Sequence, residues 1–128
     1  MSRTRIATLG ANRLPDAALL NRALKAQRLK LSVDSEWGDV EHNGYVPCAL
    51  EGEDAGFELR RSTGTDGQPV LVFRWGGDRR EQAAALAVLS VLASQFGAEV
   101  TDPELRESYA PDQLTRLAEQ LMREATEA

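Results

Sequence analysis

The chain has 128 residues, is 42% hydrophobic and 27% charged, and carries a net charge of −5. That length suits a single globular domain over 1–128, able to bury roughly two thirds of its unfolded surface without metal or disulfide support. Cys48 is the sole cysteine and His42 the sole histidine, which excludes an internal disulfide and any multi-cysteine or multi-histidine metal centre.

The charge is unevenly spread. Residues 1–30 hold seven Lys or Arg against one acid, Asp16, whereas residues 31–59 hold eight acids and no Lys or Arg. An acidic stretch of that size repels phosphate, so nucleic acid is not the expected ligand. Met1 to Gly10 is basic and lacks the apolar run of a secretory signal. No apolar run is long enough to cross a bilayer, and a reducing cytoplasm is the simplest setting.

In chain order, residues 1–13 read as a frayed tail or, over Ile6–Leu9, as a short edge strand. Leu14-Pro15-Asp16 opens a helix that continues to about Gln27, with Leu20, Ala23 and Leu24 on its apolar side. Leu29 to Asp34 alternates apolar and polar residues, the mark of a strand with one buried face. Trp37 to Gly44 is polar and turn-rich. Tyr45 to Leu50 is extended, and Pro47 assigns it to an edge strand or an irregular segment. Glu51 to Gly56 turns the chain, Phe57 to Arg61 is a strand, and Ser62 to Pro69 joins it to the next strand as a hairpin.

Val70 to Trp75 is a continuous apolar run, the strand around which the remainder is organised. Gly76-Gly77 ends it, Asp78 with Glu81 starts a helix, and Gly97 closes that helix after Phe96. Within the helix Leu86, Leu89, Leu92, Ala93 and Phe96 share one side. Ala83, Ala87, Ser90 and Ser94 make a second, small-residue stripe, either a close-approach surface or the exposed face. Ala98 to Thr101 reads as a short returning strand, and Asp102-Pro103 as the cap of a short helical turn reaching Tyr109. Pro111 to Ala125 is amphipathic, with Leu114, Leu117, Ala118, Leu121 and Met122 on one side; core packing is its default, a dimer seam its alternative. Strands grouped between helices predict an α+β fold. It has three or four mostly antiparallel strands with helices on one face, a ferredoxin-like variant being one form, plus a C-terminal amphipathic helix.

Chemistry is sparse. A Cys48–His42 pair would need the Asn43-Gly44 turn to bring the two together, and Cys48 sits among apolar neighbours, where thiols are inert. Asp39, Glu41, His42 and Cys48 match no closed zinc spacing, and Asp34, Glu36 and Glu41 lack the companion cation of a phosphoryl-transfer site. The Gly76-Gly77-Asp78 turn, with Arg79 and Arg80 beside it, is no anion cradle, because Asp78 already occupies the cap. Walker, G-x-S-x-G, H-E-x-x-H and paired C-x-x-C motifs are missing, so no cofactor, metal or catalytic residue is expected.

What is left is a surface. Asp34, Glu36, Asp39, Glu41, Glu53 and Asp54 supply carboxylates, and Trp37 and Tyr45 flank the acidic loop. Arg74 and Trp75, at the end of the central strand, extend the same surface. Aromatics beside carboxylates suit a cationic partner surface; the alternative for both tryptophans is to cap the edge of the core. At Gly44-Tyr45-Val46-Pro47, Gly56-Phe57-Glu58-Leu59 and Phe73-Arg74-Trp75-Gly76-Gly77-Asp78 the chain resembles small immunity proteins, the antitoxins of bacterial type VI secretion and other polymorphic toxin systems. The resemblance spans Trp37 to Pro103. It implies a stoichiometric inhibitor that binds and blocks a toxin domain. The acidic, aromatic surface in turn calls for a cognate toxin with a basic surface, met as monomer or homodimer, with no nucleic acid or membrane as partner. The alternatives are a small secretion or assembly adaptor that dimerises through the last helix, and a small enzyme using His42 and Cys48.

Overall fold

A computed structural model describes residues 3–9, 14–34, 37, 44–64 and 67–126. Ten elements follow in the order β1 (Arg3–Thr8), α1 (Ala17–Ala26), β2 (Leu31–Val33), β3 (Gly44–Leu50), β4 (Glu53–Thr63), β5 (Pro69–Trp75), α2 (Arg79–Phe96), β6 (Glu99–Asp102), β7 (Glu107–Tyr109) and α3 (Pro111–Thr126). The strands form one open sheet ordered β2-β3-β4-β5-β1-β6-β7, and every neighbouring pair is antiparallel. The α+β class with helices on an antiparallel sheet stands; the sheet has seven strands, not three or four. Because β5 and β6 both run antiparallel to β1 between them, β5-α2-β6 is a split βαβ unit.

The side-chain alternation of the strands decides where the core lies. Leu71, Phe73 and Trp75 of β5 share a face with Val46 and Cys48 of β3, Phe57 and Leu59 of β4 and Ala7 of β1, and all are buried. Across that face lies α2. Asp78 accepts the Arg80 N–H at its start (2.8 Å), and Gly97 ends it in the left-handed region at φ 69°. Every residue from Ala83 to Ala93 is buried. The stripe Ala83, Ala87 and Ser90 is therefore covered rather than exposed; only Ser94, near the end, reaches solvent. The sheet covers one side of α2 and α3 the other, with Leu114, Ala118 and Met122 of α3 in the same core. The apolar side of α3 is thus occupied within the chain, as the default reading held. Helix α1 is tied to the edge of the sheet by Asn21, whose side chain donates to the Val33 carbonyl (3.1 Å) and accepts the Val33 N–H (2.7 Å).

Four local expectations change. Residues 3–8 are neither tail nor edge: β1 lies between β5 and β6. Its inward residues include Arg5, whose guanidinium lies 5.7 Å from the Trp75 ring and 5.5 Å from the Tyr109 ring and is paired with the buried Asp102 at 3.3 Å. Tyr45 to Leu50 is an interior strand despite Pro47. The missing N–H falls on the side where β2 has ended, and the Pro47 carbonyl there accepts from Asp34 N (3.0 Å). The Glu51 turn is only two residues long, with positive φ at Glu51 (50°) and Gly52 (85°), a hairpin geometry that lets β4 begin at Glu53. Asp102 caps a turn, but the chain leaves it as β7 rather than as a helix. Asp102 accepts the N–H groups of Glu104 (2.9 Å) and Leu105 (3.3 Å), and Arg106, at φ 55°, reverses the direction.

Removing the cation from the Arg5–Asp102 pair leaves a buried carboxylate without its ion-pair partner. Arg5→Met is expected to lower stability in urea unfolding by roughly 3 kcal/mol, and adding Asp102→Asn should recover part of that loss. Strictly additive losses would show that the pair is not coupled.

Candidate binding surface

The sequence-chosen site residues separate into three groups. Trp37 is wholly buried: its indole N–H donates to the Pro15 carbonyl (2.8 Å), its ring packs 6.2 Å from Phe73, and the Arg61 guanidinium lies 5.7 Å from the ring and donates to the Trp37 carbonyl. Trp75 is 3% exposed and lies under Arg5. Both indoles belong to the core, so neither anchors a partner; a large flat ring between helix and sheet is better buried than solvated. Glu36, Asp39, Glu41 and His42 lie outside the described residues. Asp34, Tyr45, Glu53, Asp54 and Arg74 are all exposed.

Tyr45 is the centre of what the fold brings together. Its ring lies on Gly56 of the neighbouring strand, where an added Cβ would sit 2.5 Å from the ring carbon Cζ, from the hydroxyl and from the Val46 carbonyl. Glycine is required there for the close approach. The platform leaves Tyr45 47% exposed yet fixed in direction. Opposite it in register stands Glu58, and on the next pair of strands Glu58 stands opposite Arg74. Asp34 and Asp54 line one shallow depression with Ser32 and Pro47. Glu53, by contrast, is turned to the helix and paired with Arg80.

The start of α2 joins this corner. Partial burial and the charges of Glu81, Cys48, Asp54 and Asp78 all push the Tyr45 hydroxyl above its ordinary value. Partial burial, Asp78 and Glu58 push the Glu81 carboxyl up in the same way, although Arg79 and Arg80 are adjacent in sequence. In both cases burial is the larger cause, and carboxylates from β4 and the start of α2 add to it around Tyr45. Sequence reasoning treated Asp78 and Glu81 only as cap residues. The short Gly76-Gly77 link was the available signal, since it forces the first turn of α2 to start beside the end of β5.

Cys48 faces the opposite way, into the core. Burial, with a smaller push from Asp34, raises its thiol to about 12, and its Sγ lies 3.7 Å from the Val46 carbonyl oxygen. A thiol so disposed is a poor nucleophile. Among the described residues no group of three or more His, Cys, Asp or Glu is placed to hold a metal ion. No described helix is long and apolar enough to cross a membrane. No family model matches the chain, and no curated protein or solved structure matches it.

Two measurements check this geometry. Cys48 is expected to react with a thiol reagent at pH 8 only at the rate of global unfolding, rising to the ordinary rate in denaturant; fast labelling of the folded chain would contradict its placement. For Glu81 the folded value is raised, so ionisation costs stability: the cost is absent below the unfolded value of about 4.3 and complete above the raised folded one. Glu81→Gln should therefore gain on the wild type between pH 4 and pH 7, by on the order of 0.5 kcal/mol in urea midpoints for so exposed a corner.

Proposed function

We propose that the protein is a non-catalytic binding module, an immunity protein that neutralises a cognate bacterial toxin by docking on its basic surface. The observation that carries this reading is the Tyr45 platform: a half-exposed aromatic fixed on Gly56 and ringed by carboxylates from β4 and the start of α2. A fixed ring gives contact area with little rotamer entropy to lose, and surrounding carboxylates steer and receive Lys or Arg side chains. The chain would act in the cytoplasm, where a toxin must be met. The immunity-protein resemblance is consistent with this reading and names no toxin. The ferredoxin-like variant belongs to the same reading and has the split βαβ unit in its favour.

The competing functions have less to stand on. An adaptor dimerising through α3 would need an apolar side that already packs on α2. An enzyme using Cys48 with His42 would need a thiol that ionises far more readily than this one.

The test begins with a pull-down from the native host, followed by binding kinetics on the protein recovered. Tyr45→Ala is expected to speed dissociation at least about tenfold, the effect of losing an anchor worth about 1.4 kcal/mol or more. Asp54→Lys is expected to slow association several-fold at low salt and much less at high salt. Unchanged rates for both variants would remove this corner from the interface.

A further inference from the structure

A cavity of about 280 Å³ opens where the α1–β2 link, the β3–β4 turn and the C-terminal half of α3 meet. Buried Leu29 and Met122 make its floor, and Arg28, Lys30, Glu51, Glu119 and Arg123 make an exposed rim. Local chemistry builds it. At the end of α1 the Arg28 N–H donates to the Lys25 carbonyl (2.9 Å) and the Leu29 N–H to the Leu24 carbonyl (3.0 Å), a Schellman closure that turns Leu29 inward. The Glu51 N–H donates to the Lys30 carbonyl (2.9 Å), and the Lys30 ammonium lies 3.5 Å from the Glu51 carboxylate, so the two loops are tied together.

Both loops place a long charged residue where the backbone favours another type. Arg28, at φ 60°, fills the position after the helix that glycine usually takes. Glu51, at φ 50°, opens a two-residue hairpin turn that favours asparagine. They are two of the three non-glycine residues at positive φ among the described residues, and both line this cavity. Strain of this kind collects at ligand sites. The dipole of α3 accounts for a cation at Arg123. That of α1 does not demand one at the strained position, because Lys25 already stands in its last turn.

We propose that this cavity binds a small monocarboxylate with an apolar body. Three cations against two carboxylates leave the rim one positive charge in excess. Lys30 and Glu51 satisfy each other, whereas Arg28, Arg123 and Glu119 have no ion-pair partner among the described residues. One carboxylate balances that set and suits the planar fork of a guanidinium. A dianion such as a phosphate monoester would carry a second charge against Glu119. Leu29 and Met122 take the apolar body, and the flexible thioether adapts to its shape. Ligand pockets for drug-sized molecules begin at about 300 Å³, so a body of several carbons is the size that fits. The cavity shares no residue with the Tyr45 corner, so the inference stands apart from the toxin reading.

An amide NMR titration of the full chain with sodium hexanoate, to about 20 mM, tests the proposal. Hexanol and acetate serve as the body and the head alone, and thermal melts confirm that each variant is folded. Hexanoate should shift Arg28, Leu29, Lys30, Glu51 and Met122 saturably, with Kd at or below about 1 mM. Hexanol and acetate should each bind at least about tenfold more weakly. Arg28→Gly suits the left-handed backbone, so it should melt close to the wild type and still lose at least about fivefold in affinity. Arg123→Gln should lose a similar factor. No saturation by about 20 mM overturns the proposal, as does hexanol binding as tightly as hexanoate. Wild-type affinity in both Arg28→Gly and Arg123→Gln overturns it too.

Discussion

One guanidinium decides how this sheet is assembled. Arg5 points into the protein from β1, where it sits between the rings of Trp75 and Tyr109 with the Asp102 carboxylate at 3.3 Å. A charge that far from water is tolerated only when paired and hydrogen-bonded, so β1 has one acceptable place, beside the strands that carry those three partners. That place is the gap between β5 and β6. With β1 seated there, the ends of β5 and β7 are bridged through one side chain and the β6–β7 turn is capped by the same aspartate. The basic N-terminal residues that looked like a solvated tail are, in this strand, a clamp.

The second constraint is α2. A helix buried from Ala83 through Ala93 has no solvent face to present, so it needs cover on both sides. The sheet supplies one side and α3 the other, giving three layers over a single core. Small residues at Ala83, Ala87 and Ser90 keep the helix slim enough for that arrangement. Ser90 satisfies its own hydroxyl by donating to the Ala87 carbonyl at 2.8 Å, so no polar group is stranded in the middle layer.

Where local chemistry and burial agree, the elements were legible in the amino acids. Asp78, Gly97 and the apolar run between them mark α2 within a residue, and the stripe of Leu114, Ala118 and Met122 marks α3. Where the decisive partner is remote, they were not. Arg5 reads as polar until Asp102, ninety-seven positions away (5 to 102), is placed beside it. Pro47 reads as an edge marker until the end of β2 is known to free the side it cannot serve. Trp37, in a polar segment, carries no periodic signal for the Pro15 carbonyl and Phe73 that bury it. The candidate corner was half visible: Asp34, Tyr45 and Asp54 stood out by charge and aromaticity. The contribution of Asp78 and Glu81 depends on strand order, which no local pattern encodes.

Both outermost strands of the sheet, β2 and β7, are three residues long. A rim so brief offers a stray extended chain few ladder hydrogen bonds, so growth of the sheet sideways into fibrils is discouraged without any need for gatekeeper prolines. Crowded conditions should accordingly find this chain reluctant to polymerise along its margins, leaving its broad surfaces as the places where lasting company is kept.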